Sequence, residues 1–75
     1  MTEKQETEKA VAVVMKCFQA FYGRIFKKDI LLLETGFDGV GCDYVLFRNR
    51  FTGADFRITG NPKTGDYTIE EITDD

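Results

Sequence analysis

Seventy-five residues, 43% hydrophobic and 31% charged, with seven Phe, three Tyr and no Trp, describe one small domain near the lower size limit for a self-sufficient core. The chain has no histidine, which removes the commonest base for nucleophilic catalysis, and its two cysteines fall short of the four ligands of the usual zinc site. The longest apolar runs, Ala10–Met15 and Ile30–Leu33, are too short to span a bilayer, so no membrane association is expected.

The formal net charge of −3 is unevenly placed. Between Ala10 and Gly65 eight Lys/Arg stand against five Asp/Glu, whereas Asp66–Asp75 holds five acids and no base. Charged, solvated ends account for this pattern, with mimicry of nucleic acid by the acidic tail as a minor alternative. Met1-Thr2-Glu3-Lys4 is polar and unlike a secretory signal. Cys17 and Cys42 are therefore read as reduced thiols of a cytoplasmic protein.

In chain order, Thr2 and Gln5 have the spacing of a capping box, and Glu3, Glu6 and Glu8 suit the positive end of a helix dipole. Val11, Val14, Phe18, Phe21 and Ile25 then recur at spacings of three and four, widened by Ala10, Cys17, Tyr22 and Phe26. This predicts an amphipathic helix from about residue 3 to residue 22 or beyond, with Gly23 as its stop or an interior contact point. Cys17, inside the stripe, reads as a buried thiol.

Asp29–Thr35 fits a strand covered on both faces, with continuation of the helix as the alternative. Gly36–Asp43 reads as a flexible hairpin connection. Its glycines lack the Gly-Lys-Ser/Thr ending and the following helix of a phosphate-binding loop. Asp38 and Asp43 flank it without the spacing of a calcium loop. Phe37, Asp38 and Val40 make this loop a secondary candidate for binding, since apolar side chains on loops often serve that end.

Two hairpins follow, Tyr44–Phe51 with Ala54–Thr59, and Ala54–Thr59 with Tyr67–Ile72. A two-residue Thr52-Gly53 turn sets Phe51 opposite Ala54, Phe47 opposite Ile58, Arg50 opposite Asp55 and Arg48 opposite Arg57. A Pro62–Gly65 turn closed by Asn61 and Asp66 sets Ile58 opposite Ile69 and Arg57 opposite Glu70. Val45, Phe47, Phe51, Phe56, Ile58, Tyr67 and Ile69 then share the core face. Only Thr73–Asp75 and the first residues are expected to fray, and no internal repeat is evident.

The expected fold is α+β, an N-terminal amphipathic helix packed on one face of a four-stranded antiparallel meander, α-β-β-β-β. No spacing points to catalysis, so an enzyme is not expected, and neither is a cofactor or a metal. The like-charge adjacency of Arg48 and Arg57 singles out the outer sheet face, with Tyr44, Leu46, Arg48, Arg50 and Arg57 as partner-binding residues. A protein–protein interaction module of unidentified partner is the expected function, with a homodimer favoured by small size. The alternative is a nucleic-acid-binding domain using the arginines beside Tyr44. Asp55, Glu70 and the net negative charge weigh against it.

Overall fold

The computed structural model describes residues 3–37 and 40–73. Thr2 of the expected capping box, Asp38 of the candidate loop and the terminal Asp74–Asp75 lie outside the described residues. Helix α1 (Glu3–Phe21) is followed by a 3-10 turn (Lys27–Asp29) and strands β1 (Ile30–Phe37), β2 (Cys42–Asn49), β3 (Asp55–Asn61) and β4 (Asp66–Ile72). The strands form one open antiparallel sheet in the order β1-β2-β3-β4, and α1 packs across β1, β2 and β4. This is the expected α+β arrangement.

The apolar stripe of α1 is buried as its periodicity requires, with Ala10, Val11, Val14, Cys17 and Phe18 facing the sheet. The stripe stops earlier than its spacing suggests. The amides of Tyr22 and Gly23 both donate to the Phe18 carbonyl, at 2.7 and 3.1 Å, and Gly23 takes φ 111°. That left-handed glycine ends the helix. Phe21 consequently points to solvent at 65% exposure, and Ile25 reaches the core from the connection rather than from the helix.

Asp29–Thr35 is resolved in favour of the strand. The run Ile30–Leu33 does not alternate simply because β1 shifts register between Leu32 and Glu34, leaving Leu33 as an exposed bulge residue while Leu32 packs on the core. Bulging is one way an edge strand is kept from pairing with other chains. β1 also runs to Phe37 and β2 starts at Cys42, so the connection is shorter than the expected Gly36–Asp43.

The core is a cluster of rings. Phe47 stacks on Phe56 with centroids 5.4 Å apart, and Phe18 meets the same rings edge-on at 6.2 and 5.2 Å. Val14, Val45, Phe47 and Ile58 are sealed from solvent around them.

The first hairpin differs from expectation by two residues. Val45 pairs with Ile58, Phe47 with Phe56, and Arg48 with Asp55. The turn has four residues, not two. Asn49 N–H donates to the Ala54 carbonyl at 2.8 Å, Gly53 N–H donates to the Asn49 carbonyl at 2.7 Å, and Asn49 Oδ1 accepts from Phe51 N–H at 2.9 Å. The asparagine side chain thus nucleates the turn and Gly53, at φ 81°, closes it. Because the shift is even, the strand residues keep their faces. Phe51 does not, since it now lies in the turn. The second hairpin has the expected register, with Ile58 opposite Ile69 and Arg57 opposite Glu70.

Candidate functional site

The sheet face away from α1 carries three cross-strand rows. They read Leu31, Arg48, Asp55, Ile72; then Glu34, Leu46, Arg57, Glu70; then Gly36, Tyr44, Thr59, Thr68. Four of the five expected partner-binding residues, Tyr44, Leu46, Arg48 and Arg57, do share this face. Arg50 does not; it sits in the β2–β3 turn.

The electrostatics of this face are self-contained. Arg48 Nε donates to Asp55 Oδ1 at 2.7 Å and Nη2 to Oδ2 at 3.3 Å, a two-pronged bond that holds the Asp55 carboxyl below its usual range. Arg57 pairs with Glu70. The neighbouring Glu34 carboxylate, as an acceptor for the hydroxyl, together with burial and Asp43, pushes the Tyr44 phenol up to about 12. The expected direct pairing of Arg48 with Arg57 is absent, because Leu46 stands opposite Arg57 and Arg48 opposite Asp55, which leaves the two arginines as diagonal neighbours. The feature that singled out this face is therefore gone, and its two arginines are already partnered.

The secondary candidate residues do not converge. Phe37 ends β1 half-buried against the core, Val40 is exposed, and Asp38 lies outside the described residues. Both thiols are free and buried, and burial pushes both up, away from thiolate character. Among the described residues no three Cys, Asp or Glu side chains cluster as metal ligands, and no helix is long and apolar enough to cross a membrane.

A different surface stands out at the end of the sheet, where the connection after α1 meets the β2–β3 turn. Arg24, Ile25, Phe26, Asp29, Asn49 and Phe51 line an open cleft of about 170 Å³. Phe26 is 53% exposed and Phe51 85%. The sequence expects both rings in apolar stripes. Phe26 turns outward because the chain has left the helix and runs extended there, at φ −98° and ψ 144°, while its neighbour Ile25 plugs the core. Phe51 turns outward because it occupies the third position of an Asn-x-x-Thr-Gly turn.

That turn occurs twice. Asn49-Arg50-Phe51-Thr52-Gly53 and Asn61-Pro62-Lys63-Thr64-Gly65 make the same three bonds. In each, the Asn Oδ1 accepts from the amide two residues on and the Asn carbonyl from the glycine amide. In each, the Thr hydroxyl accepts from the amide two residues on, and the glycine has positive φ. In the second copy the position of Phe51 is held by Lys63. The turn geometry asks for no aromatic ring there, so folding does not account for Phe51.

The surroundings of the cleft are also rich in cations. Arg24 Cζ and Lys28 Nζ each stand 6.0 Å from the centre of the Phe26 ring, and Arg50 lies in sequence between two lining residues, Asn49 and Phe51. Among the described residues none of these three cations has an ion pair, in contrast to Arg48 and Arg57. Asp29 is the one acid in the lining. Its carbonyl accepts from Arg50 N–H at 2.7 Å and fastens the two walls together. No family model, curated protein or solved structure matches the chain.

Proposed function

We propose that this chain is a small, non-enzymatic protein-binding module whose contact surface is the Phe26/Phe51 end of the sheet rather than its outer face. The observation that carries this is Phe51, a ring 85% exposed at a turn position the fold leaves unconstrained, set across a cleft from a second exposed ring. Exposed aromatic and arginine side chains around a concave centre are the composition of an interface hot spot. The paired arginines of the outer face make it a poorer site for either a partner or a phosphate chain.

The test has two stages. Immobilised chain recovers a defined protein from nuclease-treated extract, and that protein is then titrated into isotope-labelled chain observed by NMR. Amide shifts confined to residues 24–29 and 49–54 support the assignment. Shifts centred on Tyr44–Arg48 and Arg57, or recovery undiminished by Phe51→Ser, would return the site to the outer face.

A further inference from the structure

From the size, charge and polar lining of the cleft we infer its occupant: one apolar side chain of an acidic peptide segment, with the segment's carboxylates against Arg24, Lys28 and Arg50. This rests on the protein-binding function proposed above and specifies the partner's chemistry.

Size comes first. A volume of about 170 Å³ is smaller than the roughly 300–1,000 Å³ of small-molecule and cofactor pockets. It is close to the roughly 150 Å³ of a cavity that admits a single benzene ring. A lone Leu, Ile or Phe side chain fits that space.

Charge comes second. The chain as a whole is negative, and both arginines of the outer face have carboxylate partners. The cations around the cleft have none among the described residues, so an acidic ligand supplies what the other two arginines already possess.

A third feature is the floor. Asn49 is only 7% exposed and lines the cleft. Its Oδ1 accepts from Phe51 N–H, which fixes the orientation of the amide. The lining therefore holds a fixed amide side chain beside the rings. Single-stranded nucleic acid would also stack on an exposed ring such as Phe51, and labelled oligothymidylate in the test separates that occupant from the peptide.

The experiment pans a displayed dodecapeptide library on the full chain and on Phe51→Ser in parallel. Fluorescein-labelled peptides from the enriched set, and labelled oligothymidylate, are then measured by anisotropy. The expected result is enrichment, on wild type alone, of one Leu, Ile or Phe flanked by Asp or Glu, with affinity falling as salt rises. Arg24→Glu and Arg50→Glu, both at exposed positions, should each weaken binding by about tenfold. Asn49→Asp keeps the acceptor for Phe51 N–H while adding a negative charge to the lining, and should weaken binding as well. Enriched sequences that depend on Phe51 but are neutral or basic overturn the acidic partner and leave the binding module standing. So does a dimer that dissociates with Phe51→Ser in the absence of peptide enrichment. Enrichment indifferent to Phe51, or tight oligothymidylate binding that Phe51→Ser abolishes, overturns both.

Discussion

Gly60→Ala is a substitution whose sign the structure reverses. In an ordinary strand the change should stabilise by about 0.5–1 kcal/mol, because alanine loses less backbone freedom on folding. Here a Cβ at position 60 would stand 2.8 Å from Tyr67 Cγ and inside contact distance of the Asp66 carbonyl oxygen. The carbonyl belongs to the closing pair of the β3–β4 hairpin, Asn61 with Asp66, and cannot swing away without opening that turn. Nor can the ring move freely. Tyr67 crosses the Gly60 position of β3, and its hydroxyl donates to the Cys42 carbonyl of β2 at 2.8 Å, joining three strands. Overpacking typically costs about 1–3 kcal/mol, and a surrendered hydrogen bond about 0.5–1.5 kcal/mol. The expected loss is about 2–4 kcal/mol, a large share of the roughly 4–11 kcal/mol available to a chain of this length. Urea unfolding followed by circular dichroism measures it, with Tyr67→Phe expected to cost about 1 kcal/mol alone. In a Tyr67→Ser background the penalty of Gly60→Ala should shrink, since only the carbonyl contact remains. A neutral or stabilising Gly60→Ala, or a penalty unchanged by Tyr67→Ser, would refute the ring-over-glycine account.

Further outcomes follow from the register, the thiols and the outer face. Phe47→Ala should cost about 3–5 kcal/mol, whereas Phe51→Ser should leave the urea midpoint within error; equal effects would restore the two-residue turn. Cys17 and Cys42 should resist a thiol reagent in native buffer and react promptly in denaturant; fast native labelling of either would contradict its burial. Tyr44 should ionise near 12, where its ordinary value is 10.0, and Glu34→Gln should bring it down. Since its native value is raised, the associated stability is whole below 10.0 and lost as pH rises towards 12. Asp55 behaves oppositely: its carboxyl is lowered by Arg48, so its contribution is present above the ordinary 3.8 and lost as pH falls through the depressed native value. An acid titration of Asp55→Asn that superimposes on wild type would remove that pair from the account.

Most of the architecture was legible because periodicity and turn residues agree. The three-and-four spacing of Ala10–Phe18 fixes the helix face, and alternation fixes which strand residues meet it. Asn61 to Asp66 fixes the second hairpin. What misled was a local shortcut, since Thr52-Gly53 flanked by apolar residues resembles a two-residue hairpin loop. The correct register was still written in the chain, as Asn49-Arg50-Phe51-Thr52-Gly53 repeats the Asn-x-x-Thr-Gly pattern of the second turn. One turn, once recognised, predicts the other. The bulge at Leu33 has no comparable signature, because four apolar residues in a row do not say which will be left out of the ladder.

The candidate site was hidden for a related reason. Phe26 and Phe51 stand in periodic apolar runs, where a residue reads by default as part of the core. Exposure of such a ring can be seen only once the elements carrying it are known to end early, the helix at Gly23 and strand β2 at Asn49. The same correction that carries Phe51 out of the core carries Arg50 off the sheet face and gives Arg48 its partner. A two-residue slip in register thus decides where unpaired charge lies on this molecule. In the slipped register, the anomaly is two arginines side by side on a flat sheet. In the observed one, the sheet is quiet, and the anomaly is a ring at a turn position where the sister turn places a lysine. Binding energy is concentrated where folding leaves apolar area and charge unsatisfied together, and the Phe26/Phe51 end of this sheet combines the two.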